Sequence, residues 1–171
     1  MQQLFLIGYM GSGKSTLGKA LAAYYSKPFI DLDAWIEQKE GGSLSEIFST
    51  KGEVYFRTKE HEYLQKIINS QSSKIVSLGG GTPCDHNNME LLLSASNTQI
   101  IYLSASVKFL SKRLYKEKNE RPLISHIESE SSMQEFIGKH LFERLSYYQK
   151  ANIILEVENK TIEALVQSIV S

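Results

Sequence analysis

The chain has 171 residues, 42% of them hydrophobic, which is enough for one domain with a real core. Its 19 basic side chains balance 19 acidic ones, so no whole-molecule field draws it to nucleic acid or to an anionic membrane surface. No apolar run approaches a bilayer span and the N-terminus opens on a strand pattern rather than a signal-peptide pattern, so a cytoplasmic protein is expected; the single cysteine, Cys84, excludes an internal disulfide.

In chain order, Leu4-Phe5-Leu6-Ile7 reads as a buried strand. Gly8-Tyr9-Met10-Gly11-Ser12-Gly13-Lys14-Ser15-Thr16 follows and matches G-x-x-x-x-G-K-[ST]. Leu17, Ala20, Leu21 and Tyr24 then recur at helical spacing. Strand, glycine loop and helix make the context in which successive backbone N–H groups converge on one anion, with the positive end of the helix dipole behind them. The loop residues Gly11, Ser12, Gly13, Lys14, Ser15 and Thr16 are therefore expected to hold a nucleoside triphosphate. Lys14 would reach the terminal phosphates, and Ser15 would offer its hydroxyl to Mg2+.

Phe29-Ile30-Asp31-Leu32 predicts a second strand, whose alternation aims Asp31 and Asp33 the same way, toward a metal or an acceptor's hydroxyls. The competing reading makes Asp33 the cap of a helix starting at Ala34. A long helix over about 52–69 carries Arg57 on one stripe with Val54, His61, Leu64 and Ile68. After a third strand, Lys74–Leu78, stand Gly79, Gly80 and Gly81, where bare backbone must approach something closely. No acidic residue ends that strand, which leaves Asp31 the best metal candidate. Cys84 has only His86 as a neighbouring base, and a small side chain in a turn is the simpler reading.

A fourth strand, Gln99–Leu103, follows. Lys116–Ser132 is charged and Ser-rich, is broken by Arg121-Pro122, has few apolar anchors, and reads as a mobile flap. A helix over about 133–150 puts Arg144 on a stripe with Met133, Ile137, His140, Leu141 and Tyr148; the strand Ile153–Val157 and a helix over Thr161–Val170 close the chain. Strands alternating with helices mean a parallel sheet covered on both faces, with ligands at the carboxyl ends of its strands. Arg57 and Arg144 both lie on inward faces, and a buried cation needs an anion; the planar fork suits a carboxylate. Glu60 is the internal alternative for Arg57, and some internal acid for Arg144.

The phosphate loop, Asp31-x-Asp33, Phe56-Arg57-x-x-Glu60, Ser77-Leu78-Gly79-Gly80-Gly81, Arg121-Pro122-Leu123, and Glu143-Arg144 followed by Tyr147 and Tyr148 together resemble the shikimate kinase family over essentially the whole chain. The resemblance implies a three-layer α/β/α P-loop NTPase fold of the nucleoside-monophosphate-kinase type with a five-stranded parallel sheet. It implies one kinase domain over 1–171, with a lid at about 116–132 and an acceptor-binding helical segment at about 33–61. It implies transfer of the ATP γ-phosphoryl group to the 3-hydroxyl of shikimate by a cytoplasmic monomer. Carried over by position, Ser15 and Asp31 serve Mg2+, the latter through water; Asp33, Gly79, Gly80 and Gly81 meet the acceptor; and Arg57 and Arg144 hold its carboxylate. Arg113 lies against adenine, and Arg121 closes over the phosphates. The family often continues Asn-Pro-Leu-Tyr after the last arginine, whereas this chain has Leu145-Ser146-Tyr147-Tyr148, so more weight falls on Arg57 than on Arg144. A related kinase for gluconate or a nucleoside monophosphate, or a non-catalytic nucleotide-binding module, are the alternatives.

Overall fold

The apolar runs become five parallel strands: β1 (Gln3–Ile7), β2 (Phe29–Asp31), β3 (Ile75–Ser77), β4 (Thr98–Ser104) and β5 (Ile153–Glu156), ordered β2-β3-β1-β4-β5 across one sheet. The computed structural model describes residues 2–70 and 72–171. The helices are α1 (Lys14–Tyr25), α2 (Leu32–Glu40), α3 (Leu44–Asn69), α4 (Asn88–Ser94), α5 (Val107–Glu117), α6 (Glu130–Tyr148) and α7 (Ile162–Val170). They cover both faces of the sheet, with α1 against α7, α5 against α6 and α2 against α3. Every position of β1 is buried, as a central parallel strand between two helical layers requires. None of the described helices is long and apolar enough to cross a membrane.

Local chemistry sets the boundaries. β2 stops at Asp31, one residue short of expectation, because the Asp31 carboxylate caps α2 by accepting from the Ala34 N–H at 3.4 Å. Asp33 is therefore a first-turn residue of that helix, not its cap. The helix expected from about 52 begins at Leu44, behind a capping box in which the Ser43 hydroxyl accepts from the Glu46 N–H and the Glu46 carboxylate accepts from the Ser43 N–H. Gly52, at φ 86° and ψ 167°, breaks α3 in a region essentially closed to other residues. Val54, placed by periodicity on the inward stripe of Arg57, is 82% exposed in the first turn after that break.

Strand order brings function to one edge. β1 is flanked by β3 on one side and β4 on the other, so the chain reverses direction of growth there and a crevice opens beyond the carboxyl ends of the strands. The glycine loop after β1, the start of α2 after β2, and Gly79–Gly81 after β3 all emerge into it. Packing of α1 against the sheet depends on Gly18, where a Cβ would lie 2.3 Å from Phe29 Cε2. Gly18→Ala is expected to lower stability by about 1–3 kcal/mol despite its better helix propensity, and Phe29→Leu in the same chain to recover part of the loss. Thermal denaturation of the two variants measures both.

Candidate active site

The glycine loop is bent by backbone that L side chains rarely adopt: Gly11 has φ 78° and Gly13, at the head of α1, has φ 95°. Lys14 turns back over the loop, its Nζ donating to the carbonyls of Gly8 at 2.8 Å and Tyr9 at 3.0 Å. Burial pushes its ammonium down to about 8, against the pull of Asp33 and Asp31. Ser15 Oγ donates to Asp31 Oδ2 at 2.7 Å.

A hydroxyl and a carboxylate side by side are hard oxygen donors. No group of three or more His, Cys, Asp or Glu side chains suited to a metal occurs among the described residues, so no all-protein cage exists. Two protein oxygens beside a phosphate cradle fit Mg2+, which keeps most of its water and takes further ligands from phosphates.

Two cavities meet at this edge. The first, of about 270 Å³, is lined by Lys14, Ser15, Thr16, Asp31, Asp33, Arg113 and Arg121. The second, of about 390 Å³, is walled by Phe48, Phe56, Arg57, Glu60, Leu123 and Arg144. Met10, Asp33, Gly79, Gly80 and Arg121 belong to both. Burial, reinforced by Glu60 and Asp31, raises the Asp33 carboxyl to about 6.

The three consecutive glycines make room. A Cβ on Gly79 would lie 2.9 Å from Asp33 Oδ1, one on Gly80 3.0 Å from Arg144 Nη1, and one on Gly81 2.7 Å from Arg57 Nη2. None of the three has a positive φ, so they serve close approach rather than a special turn.

The two arginines differ in their partners. Arg57 Nη1 donates to Glu60 Oε2 at 2.8 Å, and fully buried Glu60 accepts in turn from Thr82 Oγ1 at 2.5 Å. Arg57 Nε lies 3.4 Å from Asp85 and 3.8 Å from Glu53, yet its N–H has no hydrogen-bond acceptor. Arg144 forms no ion pair among the described residues, so the internal acid expected as its alternative partner is not there. Its guanidinium sits 5.7 Å from the centre of the Tyr9 ring. Tyr148, in the segment that departs from the family pattern, donates its hydroxyl to the Gly80 carbonyl at 2.6 Å.

The flap is shorter and better anchored than its composition suggests. α5 extends to Glu117 and α6 starts at Glu130, and between them Ile124 and Ile127 are buried. Arg121 donates to Glu117 at 2.8 Å, and Arg113 Nε stands 3.5 Å from the other oxygen of the same carboxylate. Arg113 also borders a third cleft with Phe109, Val157 and Asn159. Burial pushes the Cys84 thiol up to about 11, and the His86 ring is bonded to Asp85 at 2.6 Å, so this base does not activate it.

Sequence reasoning missed Glu117, Thr82, Asp85 and the Tyr148 hydroxyl. Glu117 had a readable signal, four residues after Arg113 and four before Arg121. Asp85 and Thr82 meet Arg57 and Glu60 through the fold alone.

The raised Asp33 carboxyl carries a sign for stability. Its folded pKa, about 6 against 3.8, means that ionisation opposes folding above pH 6, and that this cost disappears as the pH falls toward 4. Asp33→Asn is therefore expected to stabilise the ligand-free protein by about 1–3 kcal/mol at pH 7, with the difference shrinking toward pH 4, as denaturant unfolding at several pH values would measure.

A family model described as shikimate kinase matches residues 10–171. The chain is 45% identical over 169 residues to the shikimate kinase of Flavobacterium johnsoniae, covering 99% of this chain and 97% of that one. The crystal structure of shikimate kinase from Bacteroides thetaiotaomicron superposes with a TM-score of 0.85 at 32% identity, covering 98% of this chain and 95% of the other. Shikimate kinase from Acinetobacter baumannii, solved in complex with shikimate, gives a TM-score of 0.86 at 30% identity over 99% and 91% of the two chains. With the phosphate loop, the joined cavities and this near-complete similarity together, the chain belongs to the shikimate kinase family.

Proposed function

We propose that the two joined cavities carry out the family's reaction in this chain, transfer of the ATP γ-phosphoryl group to the 3-hydroxyl of shikimate, giving shikimate 3-phosphate and ADP. The observation that carries this reading is the wall common to both cavities, where Asp33 and Arg121 stand between Lys14 on one side and Arg57 with Arg144 on the other. A phosphoryl donor and a carboxylate-bearing polyol seated in their own cavities would meet there.

Phosphoryl transfer passes through a loose transition state, so the protein's work is placement and charge. The triphosphate lies along Gly11–Thr16, and Lys14 exchanges its two backbone carbonyls for phosphate oxygens. Ser15 and Asp31 would hold Mg2+, which would neutralise phosphate charge when bound. Asp33 accepts the hydrogen of the attacking hydroxyl. Arg57, steadied by Glu60, and Arg144, with no acid of its own, grip the acceptor carboxylate, while Gly79–Gly81 let the ring approach the backbone. Arg113 borders the adenine, and Arg121 leaves Glu117 for the phosphates as the lid over 116–132 closes and excludes water. The acceptor-binding helical segment is about 33–61. A cytoplasmic monomer working on small molecules completes the reading.

ADP release from ATP and Mg2+ is expected to depend on shikimate; equal or faster release with gluconate or a nucleoside monophosphate would overturn the assignment. Because the Cβ of Gly81→Ala would displace the flexible end of Arg57, that variant should fold normally yet raise the shikimate KM about 10- to 100-fold, with the ATP KM within about twofold. The kcat/KM for shikimate should fall about tenfold per pH unit below the Asp33 value of about 6, because the protonated carboxyl cannot accept the hydroxyl proton. Asp33→Asn should remove that limb and lower kcat more than it weakens shikimate binding; an unchanged limb would assign it to another group.

A further inference from the structure

Tyr9 lies inside the phosphate loop, at a position where the loop pattern accepts any residue, yet it is 1% exposed and its polar end is bonded. Its hydroxyl lies 2.9 Å from His140 Nδ1, the two rings standing perpendicular at 5.6 Å, and Phe136 meets the far side of His140 edge-on at 5.5 Å. One turn further along α6, the Arg144 guanidinium sits over the face of the Tyr9 ring. A further turn along, Tyr148 is tied to Gly80. The Tyr9 carbonyl is one of the two acceptors that hold Lys14. Any buried tyrosine needs a partner for its hydroxyl, but the cation on its ring face is a contact that core filling does not require.

We propose that Tyr9 is a positioning residue for phosphoryl transfer: fixed at its hydroxyl by His140, it presents its ring face to Arg144 and so sets the acceptor-side arginine against the phosphate loop that carries Lys14. The inference rests on the reading of Arg144 as a carboxylate-binding residue.

The protonation states agree with this geometry. Burial, with the nearby Arg144 cation, lowers the His140 imidazole and favours its neutral form, leaving Nδ1 free to accept. Burial raises the Tyr9 phenol to about 12, so it keeps the proton it donates. Arg144 has no carboxylate to orient it among the described residues, so the Tyr9 ring face, together with the neighbouring Tyr148 hydroxyl, limits where its fork points. With its side-chain torsions freed, the same cation would grip a carboxylate at a larger entropic cost.

The experiment is a set of steady-state constants on folded variants, with melting temperature as the control. Tyr9→Phe and His140→Leu should each raise the shikimate KM about 3- to 10-fold, with the ATP KM within about twofold and kcat reduced less than about threefold. The double variant should be no worse than the more impaired single one, since both remove one hydrogen bond. Tyr9→Leu should raise the shikimate KM about 10- to 100-fold in the natural background and add nothing in Arg144→Met. Additive singles, equal losses for both substrates, or a full Tyr9→Leu effect in the Arg144→Met background would overturn the proposal. Arg144→Met tested alone separates the two readings: an unchanged shikimate KM there would remove the carboxylate assignment itself. Should Tyr9→Leu fail to fold, Tyr9→Phe and His140→Leu decide.

Discussion

Absence of side chains at three consecutive positions is the constraint on which the site depends. Asp33 comes from α2, Arg57 from α3 and Arg144 from α6, and each reaches its place only because a glycine leaves the volume empty: Gly79 beside the carboxylate, Gly81 and Gly80 beside the two guanidinium groups. The glycines follow β3, whose neighbour β1 feeds the phosphate loop, so the same register that pairs Leu6 with Ser77 fixes the distance from the loop to the second cavity. Any β-carbon in this run would push one charged group into another's space. The wall shared by the two cavities is therefore as much an outcome of close backbone approach as of the charged residues that line it.

The charges so assembled are not balanced within the ligand-free protein. Lys14 is held by carbonyls and shifted down by burial, Asp33 is shifted up by burial and by two neighbouring acids, and Arg144 has no ion pair among the described residues. Each is left short of compensation by the protein itself, which is the usual relation between a binding site and the stability it costs. Arg57 is the exception. With Glu60, Asp85 and Glu53 around it, it is pre-oriented: Nη1 donates to Glu60, Nε is buried beside the acids without a hydrogen bond, and Nη2 donates to no acceptor among the described residues. A pre-oriented arginine supplies direction, and an unpaired one supplies net charge; a cavity lined by one of each has both.

The sequence was most readable where one physical signal dominated. β1 is an unbroken apolar run because it is buried on both faces, and the loop after it needs residue types at fixed offsets, so both could be placed without the fold. The end of β2 was not so clear: Leu32 is apolar and continues the strand pattern, and only the hydrogen bond from the Ala34 N–H to Asp31 shows that the helix has begun. The flap misled for the opposite reason, since Ile124 and Ile127 are too sparse to mark a periodic face although both are buried. Arg57 and Arg144 could be recognised as inward cations, but their relative need for an anion could not, because Asp85 approaches from a turn after the sheet and Arg144 rests on a tyrosine 135 positions away in sequence.

Glu117 joins two arginines at the edge of the cavity over the phosphate loop. One carboxylate serves Arg121 from the flap and Arg113 from its own helix, and these arginines lower its pKa, Arg121 first. Both arginines line the cavity over the phosphate loop, so a polyphosphate entering it competes with Glu117 for the same two cations. Half-exposed pairs of this kind contribute little to stability and exchange partners readily. Freeing Arg121 from α5 costs little, whereas the buried Ile124 and Ile127 keep the rest of the segment attached to the core. The segment is thereby fastened at its apolar end and loosely held at its charged end, where an anion entering the cavity below would compete with Glu117 for Arg121.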